Sequence, residues 1–78
     1  MARIEIQRMK RTHKTSTRLH DVVAATYDIY EIGGQKILHI DTYGRPEREY
    51  TDKISQTIQL DETNIKSLVE LLKEHNIL

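Results

Sequence analysis

Lysine and arginine side chains are concentrated at the start of this 78-residue chain. Residues 1–20 contain six of them against a single glutamate, a net charge of +5. The remaining residues contain six cations and eleven carboxylates, so a formal charge of zero conceals a basic N-terminal segment on an acidic body. Such asymmetry indicates a polyanionic partner or a self-complementary assembly, and nucleic acid is the first hypothesis.

Single-stranded nucleic acid is bound by cations that follow the phosphates and by flat rings on which the bases stack. Tyr43 is the best candidate ring, because it ends a predicted strand beside a Gly-Arg turn, where it can reach an open sheet face. Tyrosines in strands more often pack than bind, so the other three are weaker candidates: Tyr27, Tyr30 and Tyr50.

The predicted phosphate-binding cations form two groups. The dense group lies in the basic N-terminal segment. Runs of charge like this one are also common on surfaces that contact only solvent. The dense group contains Arg8, Lys10, Arg11 and Lys14. The sparser group is better placed beside the predicted ring and contains Lys36, Arg45, Arg48 and Lys53. Together with Tyr43, these eight cations are the predicted nucleic-acid-binding site.

His39 and Asp41 are the one pair that invites a metal or catalytic interpretation, because residues two apart on a strand share a face. A metal site needs three or four ligands. The other histidines have no spacing that joins them to this pair: His13, His20 and His75. We therefore expect cross-strand polar pairing of His39, with no metal site and no cofactor.

Nucleophilic catalysis has no recognisable residues here. The serines stand without a neighbouring base: Ser16, Ser55 and Ser67. No phosphate-binding loop, nucleophile elbow or pair of acids for hydrolysis appears, and a domain this small seldom builds a deep pocket. We expect that the protein is not an enzyme.

The elements that position these residues follow from periodicity. Alternation predicts strands near residues 3–7, 22–32, 36–43 and 53–60, with Gly33-Gly34 as a hairpin turn between the second and third. A helix through residues 18–26 competes with the start of the second strand, although the residues after Ala25 favour a strand. In the fourth strand, Thr57 and Gln59 fall on a polar outer face.

Asp61 is the predicted N-cap of a C-terminal helix. Its apolar residues recur on one face: Ile65, Leu68, Val69 and Leu72. The fold class is therefore α+β, a four-stranded antiparallel sheet followed by one C-terminal helix. The helix covers one face of the sheet, and we expect function on the open face. Apolar residues outside the helical stripe predict a homodimer through this helix: Leu71, Ile77 and Leu78.

One small domain is expected, with a basic strand and loop in residues 1–20 and a sheet-helix body in residues 21–78. The absence of cysteine excludes disulfides and thiolate metal sites, so self-association is the remaining way to enlarge a small core. No secretory or membrane-spanning run is recognisable. We expect a cytoplasmic protein.

Residues 25 to 74 resemble the family of the eukaryotic transcription cofactor called positive cofactor four and its small bacterial relatives. The likeness rests on the order of elements, on the run Leu-His-Ile-Asp-Thr-Tyr from Leu38, and on Lys-Ile-Ser-Gln-Thr-Ile-Gln-Leu-Asp-Glu from Lys53 into the helix. It implies a dimer that pairs through its helices and grips single-stranded nucleic acid across curved sheet faces. The chain departs from that family in having no Trp or Phe, so that stacking would depend on tyrosines alone.

The primary hypothesis is a homodimer that binds single-stranded DNA or RNA, with DNA the first candidate, largely without sequence preference, in transcription, replication or repair. A competing hypothesis is a small protein-interaction module that regulates or inhibits a nucleic-acid enzyme and uses its acidic body or an edge strand for contact. A third, a metal-dependent enzyme, would require His39 and Asp41 to bind an ion.

Overall fold

The computed structural model describes residues 1–14, 18–44 and 53–78. Four strands form one sheet: β1 (Ala2–Arg3), β2 (Ala25–Ile32), β3 (Gln35–Thr42) and β4 (Gln56–Asp61). Their order across the sheet is β1-β4-β3-β2. One helix, α1 (Glu62–Glu74), follows β4 directly. The predicted α+β class with a C-terminal helix is confirmed.

The prediction of a wholly antiparallel sheet was wrong, because the sheet is mixed. The pairs β2–β3 and β3–β4 are antiparallel, whereas β1 runs parallel to β4. No hairpin turn links β1 to its neighbour in the sheet, so nothing in the local chain geometry requires an antiparallel pair there. β1 occupies the free edge of β4, at the opposite side of the sheet from β2.

The first strand is also shorter than the alternation of residues 3–7 predicts. Pairing with β4 ends at Ile4, whose N–H donates to the carbonyl oxygen of Gln59 at 3.0 Å. The chain then forms a 3-10 turn over Ile6–Arg8. The reason is a tertiary contact: the N–H of Ile6 donates to Oδ1 of Asn64 in α1 at 2.6 Å, which draws the chain out of the sheet.

The hairpin between β2 and β3 forms as predicted. Ile32 pairs with Gln35, and the two residues between them, Gly33 and Gly34, have φ values of 59° and 78°. Positive φ at both central positions is the geometry of a type I′ turn, which matches the twist of antiparallel strands. The competing helix is not formed, since β2 begins at Ala25 and residues 18–24 have no regular structure.

Both ends of α1 are capped. Asp61 is the N-cap, as predicted, and its Oδ1 accepts the backbone N–H of Asn64 at 2.9 Å. At the other end Asn76 takes a φ of 58°, and the N–H of Ile77 donates to the carbonyl oxygen of Leu72 at 2.9 Å. This left-handed Asn with its backward bond closes the helix in a Schellman motif.

The core is small, and its two buried apolar residues lie on opposite faces of the sheet, because Ile37 alternates with Leu38, the partner of Leu60. Among the described apolar residues, only Ile37 and Leu60 are buried, and the predicted helical stripe is half-buried. Of the elements described, α1 packs on β3, β4 and the 3-10 turn, and it does not reach β2. Within the same residues, no helix has the length and apolarity to cross a membrane.

Candidate functional site

The strand register places polar side chains together on one face of the sheet. His39 of β3 lies opposite Gln59 of β4, and Asp41 lies opposite Thr57. The apolar partners Leu38 and Leu60 alternate with them and therefore point to the other face. Since α1 presents an apolar stripe, it packs on that apolar face, and the polar face is the open one.

A continuous hydrogen-bonded set, here called the polar row, crosses β4 and β3 on this face. The amide nitrogen of Gln59 lies 3.0 Å from Nδ1 of His39, and Nε2 of His39 lies 3.0 Å from Oδ1 of Asp41. The hydroxyl of Thr57 donates to the same Asp41 oxygen at 2.6 Å. The four side chains hold one another in fixed positions across the two strands.

The bonds of the polar row assign the tautomer of His39. An amide nitrogen only donates, so Nδ1 of His39 accepts from Gln59 and the ring proton is on Nε2, directed at Asp41. Both ring nitrogens are thus engaged, and the predicted cross-strand polar pairing of His39 is confirmed. Among the described residues, no group of three potential metal ligands comes together, so the His39–Asp41 pair has no third ligand there.

Aromatic rings flank the polar row. The ring of Tyr30 on β2 stands edge-on to the ring of His39, with 5.5 Å between centroids and 82° between planes, and 44% of Tyr30 is exposed. The hydroxyl of Tyr43 lies 3.1 Å from Oγ1 of Thr26, and Tyr43 is half-buried. Thr26 pairs with Asp41, so the predicted ring Tyr43 lies on the open face. Tyr27 points to the opposite face, and Tyr50 lies outside the described residues.

A cavity of about 430 Å³ opens beside the polar row at the edge formed by β1. Its wall combines the four side chains of the polar row with Met1, Ala2, Arg3 and Ile54. Arg3 therefore borders the same space as the four side chains of the polar row. The volume is within the range of small-molecule pockets.

Arg3, Thr57 and Gln59 were not among the predicted site residues. The alternation of β4 indicated that Thr57 and Gln59 share a polar face, which was the available signal. Arg3 joins them because β1 pairs in parallel with β4 and sets Arg3 beside Gln59. No local pattern in the sequence indicates that pairing.

Of the predicted N-terminal cations, Arg8, Lys10 and Arg11 lie near α1 and do not line the cavity beside the polar row. Arg8 is in the 3-10 turn, with a guanidinium nitrogen 3.9 Å from a carboxylate oxygen of Glu5. Lys10 and Arg11 line a second cavity of about 430 Å³, next to Leu71 and other residues at the end of α1. Lys14 is exposed. The basic segment thus begins at the edge of the sheet and continues beside the helix.

The cations of the body are dispersed. Lys36 lies on the apolar face near the hairpin, and its backbone N–H donates to a carboxylate oxygen of Glu62 at 2.8 Å. Lys53 is exposed ahead of β4. Arg45 and Arg48 lie outside the described residues. The structure therefore does not bring the described body cations into one cluster with Tyr43.

Asn64 joins the basic segment to the rest of the fold. This buried side chain accepts the N–H of Ile6 and donates its own amide to Oδ1 of Asp61 at 2.8 Å. The backbone and side-chain N–H groups of Asn64, with a smaller contribution from nearby Arg3, hold the pKa of Asp61 below its usual range. Sequence reasoning identified the cap at Asp61 and missed the anchoring role of Asn64.

Comparison with known proteins found no match to this chain among protein-family models, curated proteins or solved structures.

Proposed function

We propose that this chain is a cytoplasmic protein that binds single-stranded nucleic acid, with DNA the first candidate and RNA the second, and that it serves transcription, replication or repair. The observation that carries the proposal is the open sheet face, on which the exposed ring of Tyr30 stands beside hydrogen-bonding side chains and a cavity lined by Arg3. Sheet faces that combine rings with polar groups suit unpaired bases, which duplexes keep stacked inside.

The bases would lie over the polar row and the rings, and the phosphates would follow the basic edge. Asp28 and Asp41 make the centre of the face unfavourable for phosphates. Carboxylate oxygens can, however, accept from exocyclic amino groups of bases. Arg3 begins the basic edge, and residues 8–14 extend it beside α1. Backbone contacts at the edge and stacking at the centre bind without strong sequence preference.

The first test is fluorescence anisotropy of a labelled single strand of about 20 nucleotides at several salt concentrations, with the duplex as comparison. Binding should weaken with salt by a slope of roughly −0.7 for each phosphate contacted. The triple change of Arg8, Lys10 and Arg11 to alanine should make that slope shallower by about 2, because it removes up to three contacts.

Two tyrosines of β2 provide a matched pair of variants. Tyr30→Ala removes a ring from the open face, and Tyr27→Ala removes one from the opposite face of the same strand. Loss of a stacking ring costs about 1–3 kcal/mol, so Tyr30→Ala should bind at least about fivefold more weakly. Tyr27→Ala and Tyr30→Phe should bind normally. Equal losses in the two alanine variants, or no binding of single strands at low salt, would contradict the proposal.

The second candidate function is a protein-interaction module, and the observation that favours it is the fully exposed edge strand β2. Exposed strands of this kind accept an added strand from another chain. Binding through β2 would respond to changes on that edge and not to loss of the N-terminal cations. The homodimer expected through α1 stays a prediction; Leu71 is half-buried near Met9, and Ile77 and Leu78 are exposed.

A further inference from the structure

β2 presents a long edge with no covering element in the described part of the chain. It is the last strand of the sheet, and each of its eight residues is exposed. Tyr27 and Ile29 lie on the side of the sheet on which α1 packs. They are nevertheless 75% and 55% exposed, because α1 contacts β3 and β4 and does not reach β2. The strand carries no Lys or Pro, the residues with which proteins most often block an edge, and its only charged residues are Asp28 and Glu31.

The backbone groups that face outward from this edge can be identified. The N–H of Tyr43 donates to the carbonyl oxygen of Ala24, and Ile32 pairs with Gln35 beside the two-residue turn. Hydrogen-bonded pairs alternate in an antiparallel ladder, so the even-numbered residues of β2 bond to β3. The odd-numbered residues, Ala25, Tyr27, Ile29 and Glu31, direct their N–H and carbonyl groups away from the sheet.

We propose that β2 pairs antiparallel with β2 of a second copy of this chain, with Ile29 on the two-fold axis. The two four-stranded sheets then form one continuous sheet of eight strands. The inference is independent of the proposed function, although the pairing would place two open polar faces side by side. The occupant of the edge is a second copy because β2 is complementary to itself in this register.

Self-complementarity follows from the residues that this register sets opposite each other. Ile29 meets Ile29 of the second copy, Tyr27 meets Glu31, and Asp28 meets Tyr30. Each carboxylate thus faces a tyrosine, and the apolar side chains meet on the α1 side of the sheet, over the part that α1 does not reach. A register centred on Asp28 would set two carboxylates directly opposite each other, which is unfavourable.

The small core gives the pairing a thermodynamic reason. Only two described apolar residues are buried. Pairing at β2 removes apolar side chains from water and satisfies backbone groups along the whole edge, which supplies burial that a single copy lacks.

Asp28 competes with this pairing. Its Oδ1 accepts the N–H of Ile29 at 2.8 Å, and that N–H is the central outward donor of the edge. In the pair, Ile29 instead donates to the carbonyl oxygen of Ile29 in the second copy. Asp28→Ala removes the competing acceptor from both copies and should tighten dimerisation by about tenfold.

The decisive experiment is sedimentation equilibrium of the full chain and two matched lysine variants. Ile29→Lys sets two ammonium groups opposite each other at the axis and should weaken the dimer by more than about a hundredfold. Ile32→Lys makes the same change at a residue of similar exposure, 61%, where the pairing sets Thr26 opposite, and should leave the dimer intact. Circular dichroism checks that each variant is folded.

A charge-swapped mixture tests the register even if Ile29→Lys alone is unstable. Ile29→Lys and Ile29→Glu should each be monomeric or unfolded alone and should form a one-to-one heterodimer when mixed. A monomeric wild-type chain, a dimeric Ile29→Lys variant, or a mixture that does not associate would overturn the proposal. Loss of the dimer in Ile77→Lys but not in Ile29→Lys would assign the interface to the end of α1 instead.

Discussion

Replacing Asn64 with alanine tests whether one side chain holds the basic N-terminal segment on the fold. The change removes the acceptor for the N–H of Ile6 at 2.6 Å and the amide donor to Asp61 at 2.8 Å. Each hydrogen bond contributes about 1 kcal/mol net, and alanine recovers roughly 0.5 kcal/mol of helix propensity. The expected loss in the free energy of unfolding is therefore about 1.5 kcal/mol.

A loss of this size is large for a domain of 78 residues and is easily measured. It corresponds to a fall in melting temperature of about 6–12 °C by circular dichroism. Release of the segment should also accelerate tryptic cleavage after Arg8, Lys10 and Arg11 relative to cleavage elsewhere. The cleavage pattern separates local detachment of the segment from general destabilisation.

Ser67→Ala is the matched control on the same helix. Its hydroxyl donates to the carbonyl oxygen of Thr63 at 3.1 Å at an exposed position, and no other segment depends on that bond. Alanine should be neutral or slightly stabilising there, because the backbone acceptor keeps its helical partner. Equal melting temperatures for Asn64→Ala and Ser67→Ala, with unchanged cleavage at the segment, would refute the anchoring role.

Three further results are expected. Thr57→Val removes the 2.6 Å hydrogen bond to Asp41 without changing the side-chain shape, so it should lower the free energy of unfolding by about 1 kcal/mol. Urea denaturation would detect this loss, and an unchanged midpoint would contradict it. Gly34→Ala places a Cβ at a φ of 78° and should destabilise the hairpin by about 1–2 kcal/mol, whereas Gly33→Asn should be tolerated, as thermal melts of both would show. The bonds from the Asn64 N–H groups lower the pKa of Asp61 in the folded state, so its contribution to stability is full above the ordinary carboxyl pKa and is lost as pH falls through the lowered pKa. Asp61→Asn should keep the helix and reduce the loss of stability at acid pH, as melting temperatures measured over a pH series would show.

The elements with the strongest local signals in the sequence agree best with the structure. The two glycines require no tertiary help to favour a tight hairpin, and the aspartate before an apolar-periodic segment begins α1 as predicted. The strand boundaries moved by up to four residues, since β1 ends at Arg3, β2 begins at Ala25 and β4 begins at Gln56. Strand ends depend on which partner residues are available, which periodicity alone does not specify.

The candidate site was predicted in part. Alternation placed Thr57 and Gln59 on the polar face of one strand. The two-residue spacing of His39 and Asp41 placed both of them on one face of another strand. That the two pairs meet and share hydrogen bonds follows from the register of β3 against β4. The register depends on the loop between the strands and on burial across the whole sheet. The sequence pattern therefore predicted which side chains share a face of each strand, and did not predict which of them pair across the two strands.

The sequence by itself determined the type of most elements, the hairpin, the helix cap and the split of charge, because each depends on residues within a few positions of one another. Only the tertiary structure decided that β1 runs parallel to β4, that Ile6 turns away to reach Asn64, and that Arg3 joins the cavity. These features join residues that lie far apart in the sequence. Such contacts are selected by the packing of the whole chain, and no local propensity determines them.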